Sequence, residues 1–420
     1  MFQKFVSIQK TDLGFSWETI SKNEDTTTLK LQIQTFFGPI SCEFPVQNLI
    51  LNPSVNISDM ESDGLAWASE MGLYPHEKMR GLEATFVAGL IATCYPKMSR
   101  EDAFMWDKWI RTLFAIDDNV DEGDEIGLHA LKKQFAKKHS VLQALAGGTS
   151  LETVLAEEKS PVIIALAHVF VDIKETLDKR GFHRLVPEFI ESTNRYFVSV
   201  IKEKEIEVSQ GRLTDDRSAH IRAESSGAIH AITGAALLLG ISTTDLVRPD
   251  ASFDYLLRCT ALCVEFANDF LSQTKELVSL LKVKGYETSI ENLNSLKEIK
   301  RFNLVHIYWA EGRSLTDAYQ ETVAQYLKSF TGYQEQKGDL LRSLENEKVE
   351  LSRSRGGDDS PLTKADDYAI FLTKEKQVND YLSITDGWMA HVWWALVARR
   401  YNLPYSGDPV AYLQLVNSNA

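Results

Sequence analysis

The sequence predicts an all-α protein, a single-domain antiparallel helical bundle preceded by a short irregular or hairpin-forming N-terminal extension. Three observations carry that reading. From about residue 60 onward apolar residues recur at helical spacing. No linker-like stretch rich in Gly, Pro and Ser divides the 420 residues, so one large domain is expected where length alone would suggest two or three. Two clusters of oxygen-bearing side chains also repeat at four-residue intervals, which on helices places each set along one stripe.

The elements follow in order. Residues 25–44, containing TTTLKLQIQTFFGPISCEF, alternate polar and β-branched residues around a Gly-Pro, the pattern of a small hairpin. EKMRGLEATFVAGLIATCY, SREDAFMWDKWIRTLFAIDD, PVIIALAHVFVDIKETLDKR and PEFIESTNRYFVSVIKEKEIEV each place apolar residues on one helical face. SREDAF supplies a Ser cap with acidic residues in the first turn. RAESSGAIHAITGAALLLG, rich in small residues, suits either close helix packing or a helix break beside a pocket. ELSRSRGGDDSPLTKADDY, polar with a Gly-Gly, reads as a mobile loop before the last long helix. No internal repeat is evident, which counts against a solenoid.

Composition narrows the function. Hydrophobic residues make up 44% and charged residues 25%, ordinary for a globular chain with a sizeable core. The formal net charge of −14 argues against nucleic-acid binding, which needs a basic stripe. The N-terminus MFQKFVSIQKTDLGF lacks the apolar core of a signal peptide, and no stretch reaches the ~18 apolar residues of a membrane span. Cys42, Cys94, Cys259 and Cys263 show neither zinc-type spacing nor a disulfide framework, so reduced core thiols and a cytoplasmic location are expected.

The two clusters are Asp117-Asp118-Asn119-Val120-Asp121-Glu122 and the run from Asn268 to Glu276. Taken alone, an acidic run such as DDNVDE is commonly a solvated helix face. The second is harder to dismiss, because Asn268, Ser272 and Glu276 are distinct residue types at fixed offsets of four. Each cluster is preceded by apolar helical sequence, WDKWIRTLFAI and YLLRCTALCVEFA, as ligands at the inner ends of buried helices would be. Carboxylate, amide and hydroxyl oxygens without Cys or His suit a hard cation such as Mg²⁺.

At this point the chain resembles the class I terpene synthases of microbial type. Asp117, Asp118 and Asp121 fit the family's DDxxD motif. Asn268, Ser272 and Glu276, with Lys275 before the Glu, fit its NDxx(S/T)xxxE triad. Arg222 lies upstream at the interval of the family's diphosphate-sensing arginine, and Arg400-Tyr401 fits its C-terminal Arg-Tyr pair. FPVQNLILNP, GLAWASEMGL and GLIATCYP are similar to phrases that open the family's catalytic domain, and Trp394 stands six residues before Arg400 as often seen there. The resemblance implies an extension at 1–43, a catalytic domain at 44–405 and a tail at 406–420. The extension and residues 279–300, largely an insertion, depart from the family pattern.

The resemblance also implies roles. Three Mg²⁺ ions would sit with a bound diphosphate, Asp117 bridging two and Asn268, Ser272 and Glu276 holding the third. Asp121 is carried in the metal set and, with Asp118, as a residue that orients partners including Arg222. Arg222, Lys275, Arg400 and the Tyr401 hydroxyl would donate to diphosphate oxygens. Ser225 and Ser226 occupy the family's linker and effector positions. Once ionised, the hydrocarbon needs a dry, apolar pocket with aromatic faces. Leu113 and Phe114, one turn before Asp117, and Trp394, expected on the same helix as Arg400, are candidate walls, each equally well read as plain core. The polar run at 350–368 becomes a candidate lid. His230 and His391 receive no role.

The expected activity is Mg²⁺-dependent cyclisation of a linear isoprenyl diphosphate, C15 farnesyl or C20 geranylgeranyl, to a terpene hydrocarbon or alcohol. A homodimer stays open. An isoprenyl diphosphate synthase would carry a second aspartate-rich motif where this chain has Asn, Ser and Glu. A non-catalytic helical scaffold would not need Arg222, the triad and Arg400-Tyr401 in register.

Overall fold

Leu29, Leu31 and Ile33 lie directly across from Phe44, Cys42 and Ile40 in an antiparallel strand pair, and all six are buried. In the computed structural model, which describes residues 14–75, 78–121, 127–209, 216–247, 251–287, 289–299, 302–354, 361–402 and 407–418, this pair belongs to a three-stranded sheet. Its strands are β1 Phe15–Lys22, β2 Thr26–Thr35 and β3 Gly38–Gln47, in the order β1-β2-β3. The expected hairpin is therefore the β2–β3 pair, closed through Phe36-Phe37 with Gly38 at φ 110° rather than around Gly-Pro. The third strand escaped notice because β1 places only Phe15 and Trp17 as apolar residues on its inward stripe, and pairing with β2 holds the rest.

The helices follow: α1 Ile57–Glu70, α2 Met79–Thr85, α3 Val87–Cys94, α4 Arg100–Asp121, α5 Leu128–Ala146, α6 Leu151–Leu155, α7 Pro161–Lys179, α8 Val186–Ser209, α9 Asp216–Ser225, α10 Ala228–Leu238, α11 Thr243–Val247 and α12 Ala251–Val283. Then come α13 Ile290–Ser295, α14 Leu304–Ala310, α15 Leu315–Ser354, α16 Pro361–Met389, α17 His391–Val397 and α18 Pro409–Ser418. The all-α bundle is as expected. α4 packs on α7, α8 on α5, α9 and α10, and α12 along α15. Among the described residues no helix is long and apolar enough to cross a membrane.

The sheet shares the bundle's core. Phe44 meets the rings of Phe270 on α12 and Tyr326 on α15, at centroid distances of 5.1 and 5.6 Å. The Tyr326 hydroxyl and the Trp393 indole donate to the carbonyls of Pro45 and Gln47, at 2.9 and 3.0 Å. β3 thus runs across the 43/44 border suggested by the sequence. Beyond 405, α18 returns to the sheet, where the Trp17 indole donates to the Tyr412 hydroxyl at 2.6 Å.

Two further expectations are corrected. EKMRGLEATFVAGLIATCY is two helices, because Phe86 adopts a left-handed conformation (φ 55°) and Gly89 leaves the room its ring fills. The polar run at 350–368 is mostly helix: α15 continues to Ser354 and α16 begins at Pro361, while 355–360 lie outside the described residues. Within residues 279–300, α12 extends to Val283 and a Ser289-capped α13 buries Leu293, with Leu296 buried just beyond.

Candidate active site

α4 delivers the first acidic cluster at its C-terminal turns. The Ser99 hydroxyl accepts from the Asp102 backbone N–H (3.1 Å), so the cap is the one expected. Trp106, Trp109, Ile110, Leu113 and Ile116 bury its inner side. Above them Asp117 is 43% exposed, with a carboxylate oxygen 3.7 Å from Arg400 Nη2. Asp118 accepts from Arg400 Nη2 on one oxygen (2.9 Å) and from the Tyr74 hydroxyl on the other (2.8 Å). The Asp121 backbone closes the helix, but its side chain and the whole of Glu122 lie outside the described residues.

α12 delivers the second cluster. Asn268, Ser272 and Glu276 stand one turn apart, and the Ser272 hydroxyl donates to Glu276 Oε1. Lys275 is half-buried on the same helix. The donor set is an amide, a hydroxyl and a carboxylate on α12, with the Asp117 carboxylate on α4; all are hard oxygens, so these residue types fit a hard divalent cation such as Mg²⁺. Carboxylates do not make the site by themselves: among the described residues no three His, Cys, Asp or Glu side chains converge to hold an ion.

Arg222 ends α9, where Ser226 and Gly227 (φ 75°) break the chain before α10. The helix break that the small residues allow is observed, with the Ser225 and Ser226 hydroxyls bonded to the carbonyls of Arg222 and Ala223 at 3.3 and 2.9 Å. The Arg222 guanidinium is held by Asp269 and Glu265 of α12 and, at 3.3 Å, by Glu203 of α8. Asp118 engages Arg400 and Tyr74 instead of Arg222, which corrects the expected pairing. The reason is helical geometry: Asp269 and Glu265 lie one turn apart on the stripe that faces α9.

Arg400 does not share a helix with Trp394. α17 stops at Val397 because Ala398 is extended (ψ 120°), and the Arg400 N–H donates to Ala84 O (2.8 Å) rather than to a helical carbonyl. Trp394 caps the α2–α3 break, its indole donating to Phe86 O (2.8 Å) and Thr85 O (3.1 Å). It also packs edge-on against Tyr401. Phe114 lies under the Arg400 guanidinium at 5.1 Å, a cation–π support.

Electrostatics bind these parts into one field. Burial alone would lower the pKa of Arg222, but Asp269, Glu265 and Glu203 reverse it and keep the cation charged. Asp118, Tyr401 and Asp117 likewise reverse the effect of burial on Arg400. Burial pushes the Asp269 and Glu265 carboxyls up against the pull of Arg222. Burial, countered by Arg400 and reinforced by Asp117, Glu265 and Asp118, pushes the Tyr401 hydroxyl up to about 12, so it remains a donor at neutral pH. Tyr401 thus feels carboxylates from α4 and α12 at once.

Sequence reasoning missed Tyr74, Glu203, Glu265 and Asn303. Glu265 had a signal, being four residues before Asp269 on a helix already identified. Asn303 had half of one: an Asn before the apolar run LVHIYW marks a helix cap, yet its reach to Glu276 does not follow from that. His230 is a satisfied core histidine. The Trp109 indole donates to its Nε2 (2.9 Å), leaving Nδ1 to donate to the Ser192 hydroxyl (3.1 Å). His391 is buried likewise, with Nδ1 on Trp388 O at 2.7 Å. Two cavities of about 490 and 300 Å³ open elsewhere, around residues 51–57 and Arg100 at the foot of α4.

The family described as terpene synthase family 2, C-terminal metal binding, matches residues 108–329. Among solved structures, the chain is similar to a hedycaryol synthase in complex with nerolidol, at 19% identity over 84% of this chain and 98% of that one, TM-score 0.57. It is similar to a linalool/nerolidol synthase from Streptomyces clavuligerus in complex with 2-fluorogeranyl diphosphate, at 14% identity over 82% and 96%, TM-score 0.55. A germacradien-4-ol synthase from Streptomyces citricolor matches at 17% identity over 82% and 95%, TM-score 0.53. At these identities the likeness is one of fold. No curated protein matches the chain.

Proposed function

The chain belongs to terpene synthase family 2, and from that premise we propose that it ionises a linear isoprenyl diphosphate, C15 or C20, in a Mg²⁺-dependent reaction and cyclises the cation to a terpene hydrocarbon or alcohol. What supports this is the combination of two oxygen-ligand clusters with two half-buried, permanently charged arginines, Arg222 bonded to α12 and Arg400 bonded to α4. A protein of net charge −14 needs such local reversal to hold a diphosphate.

Asp117, with Asp121 beside it, would hold metal on one wall, and Asn268, Ser272 and Glu276 on the other. Bound there, Mg²⁺ would supply Lewis-acid stabilisation of the charge that grows on the leaving diphosphate. Arg400, kept in place by Asp118, Phe114 and its backbone bond to Ala84, and Tyr401, kept protonated, would donate to diphosphate oxygens. Arg222 would turn part of its bonding from Glu265 and Asp269 to the ligand. Lys275 and Ser226 would line the same approach. Preorganised donors of this kind act where water is excluded, so their charge is little screened.

The substrate class is carried over in part from the solved structure that holds 2-fluorogeranyl diphosphate. Incubating the protein and Mg²⁺ with C10, C15, C20 and C25 diphosphates, followed by mass analysis, tests the reading. A cyclic product with released diphosphate supports it. Chain elongation on adding isopentenyl diphosphate, without cyclisation, would replace it with prenyl transfer.

A further inference from the structure

Residues 302–304, just before and at the start of α14, occupy a junction between α12 and Arg222. Asn303 is 2% exposed, and its side-chain amide donates to Asp269 O (3.0 Å), to both carboxylate oxygens of Glu276 (3.3 Å each) and toward the Ser272 hydroxyl (3.5 Å). Its Oδ1 accepts from the His306 N–H (3.2 Å) and caps α14. The next N–H, of Leu304, donates to Asp269 Oδ2 (2.9 Å), while Asp269 Oδ1 holds Arg222. On the other side the Phe302 ring lies 5.2 Å under the Arg222 guanidinium, and its N–H is bonded to Glu207 at 3.1 Å.

We infer that Asn303 is a positioning residue for the metal-binding triad: its buried amide fixes the rotamers of Glu276 and Ser272 so that their remaining lone pairs face the ion. The inference rests on the proposed reading of Asn268, Ser272 and Glu276 as metal ligands. A carboxylate on a long, flexible side chain must lose rotamer freedom to ligate, and a donor already in place removes that cost before the ion arrives. Glu276 is pinned from both sides, by Ser272 within its own helix and by Asn303 from another. The same three-residue segment also touches Arg222 and Asp269, so the site that would hold metal and the arginine that would sense diphosphate share one support.

The cap role and the positioning role separate in Asn303→Ser, since Ser caps a helix as well as Asn but carries no amide to reach Glu276. Binding of Mn²⁺ in the presence of inorganic diphosphate, followed by electron paramagnetic resonance, is the readout, with the melting temperature measured alongside. The expected result is Mn²⁺ affinity about tenfold weaker or more at a melting temperature close to wild type. Wild-type affinity in folded Asn303→Ser overturns the role of Asn303 and leaves it a cap. Should Asn303→Ser not fold, Asn303→Asp keeps the shape and the cap oxygen: weaker Mn²⁺ binding supports the inference, and equal or tighter binding overturns it. Wild-type protein that binds no Mn²⁺ with diphosphate overturns the metal reading itself, a different outcome from loss of Asn303's part in it.

Discussion

Asp117 and Asn268 differ from the other acidic and amide groups of the site in what they support. Asp118 and Asp269 each bond an arginine directly, so removing either takes a carboxylate partner from a half-buried cation. Asp117 is 43% exposed and lies 3.7 Å from Arg400, farther than the 2.9 Å of Asp118, and Asn268 is half-buried on α12. Asp117→Ala and Asn268→Ala are therefore expected to lower turnover by 10³-fold or more, on the order of 4 kcal/mol of transition-state stabilisation, while the melting temperature stays near wild type. A steady-state assay paired with thermal melting checks both halves. His230 gives a pH prediction. Burial lowers its pKa to about 3, below its unfolded value. The stability it contributes is thus present above the ordinary histidine value of ~6.5 and is lost as pH falls toward the folded pKa. Against His230→Phe, the wild-type advantage in urea unfolding should shrink by about 2 kcal/mol between pH 7 and pH 5. At this scale the ligand stripe was legible because i, i+4 spacing fixes what shares a helix face. The carboxylates around Arg222 were not, because which acid meets which arginine depends on how helices cross.

Single elements are cut by their backbone breaks, and two of these carry the site. Gly227 lets α9 end beside Arg222, and Phe86 separates α2 from α3 so that the carbonyls of Ala84, Thr85 and Phe86 turn toward Arg400 and Trp394. Trp394→Phe keeps the ring but removes the indole N–H, leaving Thr85 O and Phe86 O buried without that donor. A loss of about 1–3 kcal/mol is expected, read as a lower urea midpoint at unchanged slope. Wild-type stability would show that the capping bonds contribute nothing. Gly227 was foreseeable from a Ser-Ser-Gly run. The Phe86 break was not, because a bulky residue at positive φ violates local preference, and the space at Gly89 and the bond from Trp394 accommodate it. Periodicity likewise placed Trp394 and Arg400 on one helix, since it cannot see that Ala398 leaves the α region.

Over the whole molecule, the sheet decides how the chain divides. Phe44 is fully buried between α12 and α15, and Asn402, just after the Arg400-Tyr401 pair, donates its side-chain amide to Phe15 O at 3.1 Å. The strands are therefore part of the core that holds the C-terminal half of the site. A chain beginning at residue 48 exposes Phe270 and Tyr326 and is expected to be insoluble or to show no cooperative melting, checked by calorimetry against the full chain. A stable, active truncation would make the sheet dispensable. The helical bundle was legible from residue 60 onward through its apolar stripes, whereas the sheet's attachment depends on long-range contacts that composition and period do not encode.

The central claim is that two walls of oxygen ligands and two half-buried arginines let a strongly acidic protein grip a diphosphate only with divalent metal. Calorimetric titration of inorganic diphosphate into the wild-type protein, with Mg²⁺ and then with chelator, tests it most directly. Saturable binding with Mg²⁺ and none with chelator is the expected result. Binding of equal strength in both, or in neither, would contradict it.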